Sequence, residues 1–360
     1  MLSPEEAFAV LGDQARFEIL QALGKADDSV GYSDLFGRIE YNDRSNFSYH
    51  LDKLVGHFVS RSDEGYDLRR PGERVLEAVL SGAVTTDPVR DPTGTDRPCP
   101  FCSASLEVGY EQERVTMHCP ECPGLVRSAD SAGEQSTESG NLGYRPLPPA
   151  AIEGRTAGEM HDASKTWTAL TVHATGRRIC PRCSGTVDRS VDVCESHDAS
   201  EGTCDRCGRR FGAMASATCT NCVFDIRLGV AAYLGTTTEV MRYLIDHGID
   251  PIAPGEFHPY AAVEETIVSH RPFEARYAFS VDDETLTLTV DEDLSVVDTM
   301  SEEMTGGSCR IGRSHAGESA STPSVSKARS LSPSISPRRS TTRLRTSSTV
   351  TWTTPSSGWP

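Results

Sequence analysis

Lysine and long apolar segments are what this sequence has least of. Only four of its 35 Lys and Arg residues are lysines: Lys25, Lys53, Lys165 and Lys327. No apolar run approaches the roughly 20 residues that a membrane-spanning helix needs, so we expect no membrane partner. The opening segment MLSPEEAFAVLG has neither a basic start nor a long apolar core. It is unlike a secretory signal, and we expect a cytoplasmic protein.

The charge is acidic and unevenly distributed. The 360 residues carry a formal charge of −17, yet residues 305–360 hold eight Lys or Arg and one Asp or Glu. Residues 1–304 therefore hold 27 basic and 51 acidic residues, a net charge of −24. An acidic surface poor in lysine resembles those of proteins from salt-loving archaea. An ordinary acidic protein is the alternative, because net charge bears on solubility rather than on fold.

Cysteine has the clearest pattern of any residue type here. Five Cys-x-x-Cys pairs and one Cys-x-x-His pair lie within residues 99–222, and partner pairs are separated by 10 to 16 residues. Two intervening residues let both side chains reach one tetrahedral ion, and this spacing is typical of structural zinc sites. We predict about three zinc ions per chain. The ligands would be Cys99, Cys102, Cys119, Cys122, Cys180, Cys183, Cys194, His197, Cys204, Cys207, Cys219 and Cys222.

The order of the pairs along the chain predicts three separate sites, one each in residues 99–122, 180–197 and 204–222. An interleaved arrangement within residues 180–222 would use the same ligands and stays open. Disulfides are the alternative, but cysteines in a reducing compartment are better explained by metal. A catalytic zinc would need an open position and a nearby general base, and the pairs indicate neither. His118 lies outside the paired spacing and is expected on a hairpin.

The first 86 residues have the pattern of a winged helix-turn-helix domain. Ser3 can cap a helix that begins with Pro4. In the fourth helix, Phe47, Leu51 and Leu54 recur at helical spacing and should point inward. We predict helices over residues 4–11, 13–23 and 33–39, a fourth from residue 45, a hairpin that turns at residues 63–65, and a helix over residues 72–80.

Two segments of this region, LGDQARFEILQAL and SNFSYHLDKLVGHFVSRSDEGYDLRRPGERVL, resemble ArsR-type winged-helix regulators of halophilic archaea. The resemblance implies transcription regulation, binding of double-stranded DNA, and often a homodimer. It places a recognition helix over residues 47–54, without the metal-sensing cysteine pair of ArsR. The later segments resemble zinc-ribbon regions that uncharacterised haloarchaeal proteins append to such a domain.

Candidate DNA contacts lie on the outward side of the fourth helix and on the hairpin. Residues 42–74 hold six basic and six acidic residues, so this region is locally neutral within an acidic chain. Polar and basic side chains can reach base edges or phosphates. The predicted contacts are Arg44, Ser45, Asn46, Ser48, Tyr49, Lys53 and Arg61.

The whole chain is predicted to be multidomain α+β, with an N-terminal winged helix-turn-helix, small zinc-ribbon lobes and a C-terminal helix and β-hairpin module. The predicted boundaries are 1–86 for the DNA-binding domain, 87–127 for a zinc ribbon, 128–176 for a linker and helix, 177–225 for paired zinc lobes, and 226–304 for the α+β module. Residues 85–98 are expected to form a linker. In the C-terminal module, Thr237 should cap a helix that runs to His247. The strand of the hairpin is predicted from strict alternation of apolar residues: Phe273, Ala275, Tyr277, Phe279 and Val281. Ligand sensing in the C-terminal module is an alternative to plain core, but no polar cluster in the sequence identifies a pocket.

Residues 305–360 contain 15 Ser and 9 Thr and show no helical or strand period. They should be disordered. A flexible basic arm is one interpretation; translation out of frame in GC-rich DNA is another, and the composition favours it.

Two functions follow as hypotheses. The first is a sequence-specific transcription regulator. The second is a protein-interaction adaptor of the transcription machinery, resembling archaeal factor E, which also joins a winged helix to a zinc ribbon. An enzyme is not expected, because no nucleotide-binding glycine loop or nucleophile–base pair stands out.

Overall fold

The structure is a computed structural model that describes residues 2–39, 41–127, 140–253 and 258–303. The tail that is predicted to be disordered, residues 305–360, lies outside the described residues, and so does its single cysteine, Cys309. The described residues form a mixed α+β, multidomain arrangement with four small antiparallel sheets. Among the described helices, none combines the length and apolar character that crossing a membrane requires.

The N-terminal region contains five helices and one hairpin. In chain order they are α1 (Pro4–Leu11), α2 (Gln14–Gly24), α3 (Tyr32–Gly37), α4 (Arg44–Leu54), β1 (Val59–Arg61), β2 (Tyr66–Leu68) and α5 (Arg70–Leu80). Side chains at the helix starts explain several of these boundaries. Ser3 and Glu6 form a reciprocal capping box on α1. Asp43 accepts hydrogen bonds from the backbone N–H groups of Ser45 and Asn46 at the start of α4.

An apolar core holds this region together. Ile19 and Leu20 of α2 and Phe47 of α4 are fully buried. Phe47 also lies edge-on to Tyr32 and Phe36, with ring centroids 5.3 and 5.2 Å away. The inward positions predicted for the fourth helix are confirmed, since Phe47, Leu51 and Leu54 are all buried. No metal ligand is needed to explain this core.

The second region is a four-stranded sheet with the spatial order β3-β4-β5-β6. Its elements are β3 (Arg90–Pro98), β4 (Ser105–Glu111), β5 (Arg114–His118), β6 (Asn141–Pro146), a 3-10 helix (Pro149–Ile152) and α6 (Ala157–Gly176). Leu142 of β6 and Met160 of α6 belong to the same buried cluster as Val108 and Tyr110 of β4. The segment predicted as a linker and helix thus contributes a strand and part of this core.

The linker predicted over residues 85–98 is wrong for its second half, which forms β3. This strand lies at the edge of the sheet, contains Pro92 and Pro98, and pairs with β4 through two irregular steps. Proline is tolerated at an edge, where one side of the strand needs no hydrogen-bond donors. Because β3 is polar and mostly exposed, its sequence has none of the alternation that reveals a strand.

The third sheet has the order β7-β8-β9 and consists of β7 (Val187–Val193), β8 (Ala213–Cys219) and β9 (Asp225–Gly229). Its central contact is the seven-residue antiparallel ladder between β7 and β8. Val187 pairs with Cys219 at one end, and Val193 pairs with Ala213 at the other.

The C-terminal region completes the described fold with α7 (Val230–Leu234), α8 (Thr238–Asp246), β10 (Val263–His270), β11 (Phe273–Val281), β12 (Glu284–Asp291) and β13 (Val296–Glu303). Thr237 caps α8, as predicted. The predicted alternation in β11 is confirmed, but the hairpin is the centre of a four-stranded meander rather than an isolated pair. Its core includes Ala213 and Ala215 of β8 and Val172 of α6, so it continues into the preceding regions.

Candidate functional sites

The first candidate metal centre joins the turn after β3 to the turn after β5. The Sγ atoms of Cys99 and Cys122 lie 3.7 Å apart, and those of Cys102 and Cys119 lie 3.5 Å apart. All four sulfur atoms lie within 4.8 Å of one another. A tetrahedral ion with metal–sulfur bonds of about 2.3 Å requires sulfur–sulfur distances of about 3.8 Å. The four side chains therefore have the separation that one shared ion needs.

A repeated turn presents the first two ligands of this centre. The Cys99 N–H donates to the carbonyl oxygen of Ala104, and the Ser103 N–H donates to the carbonyl oxygen of Cys99, at 2.7 and 3.0 Å. Equivalent bonds, at the same residue offsets, recur in the turns that begin at Cys180 and Cys204. The residue after each second cysteine has a left-handed backbone, with φ of 63°, 60° and 67° for Ser103, Ser184 and Gly208. This shared geometry brings both sulfur atoms to one side of the turn.

The remaining eight ligands form two nested centres rather than two consecutive ones. The outer pairs form one group: Cys180, Cys183, Cys219 and Cys222. The inner pairs form the other: Cys194, His197, Cys204 and Cys207. The pairing predicted from chain order, residues 180–197 and 204–222, is therefore wrong. The interleaved arrangement that the sequence left open is not present either, because the inner centre lies wholly between the two halves of the outer one along the chain.

The β7–β8 ladder is the physical reason for this nesting. The turn that precedes β7 and the turn that follows β8 meet at the end of the ladder where Val187 faces Cys219. The two turns between the strands meet at the opposite end, where Val193 faces Ala213. Seven residues of antiparallel strand span roughly 20 Å. A ligand at one end of the ladder therefore cannot reach a metal ion at the other end. Each end of the ladder therefore carries its own centre.

The outer centre has the same sulfur geometry as the first. The Sγ atoms of Cys180 and Cys222 are 3.7 Å apart, and those of Cys183 and Cys219 are 3.5 Å apart. The Asn221 side-chain amide donates to the Cys183 sulfur at 3.5 Å. This hydrogen bond is the main reason that the pKa of Cys183 falls to about 6, which favours the thiolate that a metal binds.

The inner centre includes the one histidine ligand. The Nδ1 atom of His197 lies 3.5 Å from the Cys207 sulfur, and its Nε2 atom lies 3.1 Å from the carbonyl oxygen of Arg210. With Nδ1 facing the metal, the Nε2 proton can be donated to this carbonyl, an arrangement that orients metal-binding histidines. The pKa of Cys204 is lowered to about 6, first by the backbone N–H of Asp198. All eleven described cysteines are free of disulfides.

A short segment of backbone ties the first centre to the inner one. The Arg127 N–H donates to the carbonyl oxygen of Gly208 at 2.7 Å, and the Arg210 N–H donates to that of Leu125 at 2.9 Å. The Arg210 guanidinium also lies over the Phe101 ring, 4.1 Å from its centroid. The two centres therefore support each other through residues 124–127.

The outward face of α4 is the second candidate site. Among the predicted contacts, Arg44, Ser45, Asn46, Tyr49, Lys53 and Arg61 are exposed, whereas Ser48 is partly buried. The Asn46 side-chain amide donates to the Tyr41 hydroxyl at 2.8 Å. The Lys53 ammonium lies 5.4 Å from the Tyr49 ring centroid. These contacts hold the side chains in position, and their role toward a partner stays a prediction.

A third polar cluster was missed from the sequence. Arg145 of β6, His161 of α6 and His258 line one cavity together with Lys165 and Tyr260. The members come from three segments separated by many residues, so no spacing rule connects them. Only the packing of α6 and the C-terminal region against β6 brings them together.

The fold and sites define a multidomain α+β protein with three clustered cysteine and histidine centres. The chain belongs to the family described as domain of unknown function (DUF7351), whose model matches residues 96–296. A second family model, described as domain of unknown function (DUF7347), matches residues 4–79. The first match contains all twelve metal-ligand candidates, and the second contains α4. No curated protein and no solved structure matches the chain.

Proposed function

We propose that the protein is a sequence-specific DNA-binding transcription regulator whose three cysteine and histidine centres hold structural zinc. The N-terminal region would act as an ArsR-like winged helix-turn-helix, with α4 as the recognition helix and β1–β2 as the wing. Residues 90–303 would form a zinc-stabilised body attached to it.

The observation that carries the DNA-binding proposal is the division of α4 into two faces. One face buries Phe47, Leu51 and Leu54. The other leaves the 55% exposed Tyr49 ring uncovered, together with Asn46 and Lys53. A helix anchored in this way can enter the major groove, which is about 12 Å wide, without disturbing its own core.

The chemistry of the outward face also fits a nucleic acid. An asparagine amide can pair with adenine through two hydrogen bonds, and basic side chains can contact phosphates. Arg44 lies near the start of the helix, with its guanidinium over the Phe36 ring at 5.0 Å, and Arg61 lies on the adjoining hairpin. The positive end of the α4 dipole adds to the attraction for a phosphate.

Zinc is the metal that the donor sets favour. Two centres offer four thiolates, and the third offers three thiolates and one imidazole. Four such ligands in a tetrahedral arrangement are typical of structural zinc. Each set is filled by protein side chains, which favours a structural ion over a catalytic one. The ion would offset the repulsion among neighbouring thiolates and stabilise the small lobes around it.

A footprinting experiment tests the main proposal. Purified full-length protein should be used to select fragments from genomic DNA, and the selected sequences should be footprinted over a range of salt concentrations. Protection of a defined sequence supports the proposal, whereas binding with no sequence preference argues against it. Metal analysis of the same preparation should give about three zinc ions per chain.

The acidic charge favours a second candidate, a protein-interaction adaptor of the transcription machinery. A net charge of −24 over residues 1–304 opposes binding to DNA at low salt and favours a basic protein partner. Co-purification with RNA polymerase in the absence of a footprint would support the adaptor instead.

A further inference from the structure

A cavity of about 280 Å³ lies between β6, α6, the β9–α8 segment and residues 258–260. Its walls are mostly apolar and come from different elements, including Leu142 of β6, Val172 of α6, Leu228 of β9 and Met241 of α8. Ligand sites in proteins typically combine apolar walls with a few polar groups and begin at roughly 300 Å³. The cavity thus has the size and character of a site for a small molecule.

The polar groups of this cavity are strongly biased toward positive charge. Arg145, Lys165 and Arg227 line it together with three histidines, whereas none of the described lining residues is an Asp or Glu. The nearby carboxylate of Asp162 is already engaged. It accepts hydrogen bonds from the Arg97 guanidinium at 2.6 and 2.9 Å and contacts His161 Nδ1 at 3.1 Å. Its oxygen atoms are therefore engaged by Arg97 and His161, although its negative charge still acts on Arg145.

Arg145 carries a buried hydrogen-bond donor that is not satisfied. Its Nη1 atom is buried and has no hydrogen-bond partner. Its Nη2 atom lies 3.3 Å from the Nε2 atom of His258. Burial lowers the pKa of Arg145 to about 10, so the guanidinium is still charged near neutral pH. The Asp162 carboxylate acts on this charge but forms no hydrogen bond with it. A buried charged donor that lacks a direct partner is unfavourable, which makes an anion the natural occupant.

Donors also outnumber acceptors around His258. The backbone N–H of Tyr260 points at its Nδ1 atom at 3.3 Å, while the Arg145 guanidinium faces its Nε2 atom. Burial pushes the pKa of His258 well below its usual range, so the ring is neutral. A neutral imidazole has only one acceptor nitrogen. One of the two donors therefore lacks an acceptor, and an anionic oxygen beside Arg145 would supply one.

We propose that this cavity binds a small organic carboxylate with an apolar body. The carboxylate would accept hydrogen bonds from the Arg145 guanidinium, and the apolar part would lie against Leu142, Leu228 and Met241. The planar guanidinium matches a carboxylate in geometry. The small volume and apolar walls favour a monoanion over a large phosphorylated ligand. This inference does not depend on DNA binding by α4.

The test uses zinc-loaded full-length protein and three matched pairs of probes: acetate and acetamide, hexanoate and hexanamide, and benzoate and benzamide. Affinity is measured by isothermal titration calorimetry, and the melting temperature is followed in parallel. At least one carboxylate with an apolar body should bind on the order of tenfold more tightly than its neutral amide. If no carboxylate binds better than its amide, water is the occupant and the proposal is wrong.

An Arg145→Met variant locates the bound anion. This change removes the guanidinium while keeping a long apolar side chain, and it should weaken carboxylate binding by about tenfold or more. Arg276→Met is the matched control, because Arg276 is an exposed arginine within strand β11, and it should bind like the wild type. Equal affinity of wild type and Arg145→Met would overturn the assignment. Because the comparison of probes on the wild type needs no variant, it decides the question even if Arg145→Met fails to fold.

Discussion

The N-terminal region and the β7–β9 region reach a stable fold by different means. Residues 2–80 bury a continuous apolar cluster that includes Ile19, Leu20 and Phe47. At the Cys180 end of the β7–β8 ladder, the buried apolar cluster contains only Val187 and Ala217 besides cysteines. Such a small cluster cannot offset the conformational entropy lost on folding. Side-chain packing therefore suffices in the first region, whereas we expect the Cys180 end of the ladder to depend on a bound metal ion.

Metal removal should give the largest difference between these regions. Treating the protein with a chelator should unfold the Cys180 end of the ladder, residues 180–187 and 217–226, and leave residues 2–80 folded, because a structural zinc contributes on the order of 10 kcal/mol to a small lobe. Hydrogen exchange on the full chain, before and after chelation, measures both regions in one sample. Uniform loss of protection, or none in either region, would contradict the distinction.

Zinc counts of paired-ligand variants test which ligand pairs share one centre. Changing Cys180, Cys183, Cys219 and Cys222 to Ser disrupts one centre and should leave about two zinc ions per chain. Changing Cys180 and Cys183 to Ser together with Cys194→Ser and His197→Asn disrupts both nested centres and should leave about one. Consecutive pairing would give the opposite result, so each variant is the control for the other.

The apolar core of the first region should be sensitive to a single truncation. Phe47→Ala should lower the free energy of unfolding of this region by about 3 to 5 kcal/mol, because it leaves a cavity among tightly packed rings. Tyr49→Ala is the matched control, since Tyr49 is an exposed aromatic residue on the same helix, and it should change stability by about 0.5 kcal/mol or less. Denaturant unfolding measures both, and equal effects would mean that the two faces of α4 are not distinct.

DNA binding, unlike stability, should depend on the exposed Tyr49. Tyr49→Ala and Asn46→Ala should each weaken specific DNA binding by roughly 1 to 3 kcal/mol while the fold is kept. Gln14→Ala, which removes an exposed amide from α2, should have no effect. Fluorescence anisotropy with the footprinted sequence provides the measurement. If both variants bind a confirmed site like the wild type, α4 does not read DNA, and the adaptor becomes the better proposal.

The smallest expected effect concerns pH and His161, a buried histidine of α6. Burial lowers the pKa of His161 to about 4, outweighing the opposing effect of the Asp162 carboxylate. Between pH 6.5 and pH 4 the unfolded chain binds a proton that the folded chain does not. Stability should therefore fall as the pH falls, by up to about 1.4 kcal/mol per unit.

His161→Gln should lose this contribution. Between pH 7 and pH 5.5, with zinc in excess, the wild type should lose about 1 kcal/mol more stability than the variant. Taking the difference between the two proteins cancels the effect of acid on the metal centres, which both share. Identical pH profiles would show that His161 titrates normally in the folded protein.

Local patterns predicted much of the fold because local interactions determine those features. The capping side chains Ser3 and Thr237 and the inward spacing of Phe47, Leu51 and Leu54 are properties of short segments. Two intervening residues likewise place the ligands of one turn side by side. The sequence therefore determined the starts of α1 and α8, the core face of α4, the alternation in β11 and the identities of the ligand pairs.

Tertiary structure decided what depends on contacts between distant segments. The β7–β8 register joins Cys180 to Cys222 and Cys207 to His197, and this register is invisible when the pairs are read in chain order. Strand β3 has no apolar period of its own and exists because β4 offers it backbone partners. The cavity around Arg145 and His258 forms only where three segments pack together. Spacing along the chain determines which groups can share one turn, but strand pairing and packing determine which turns meet.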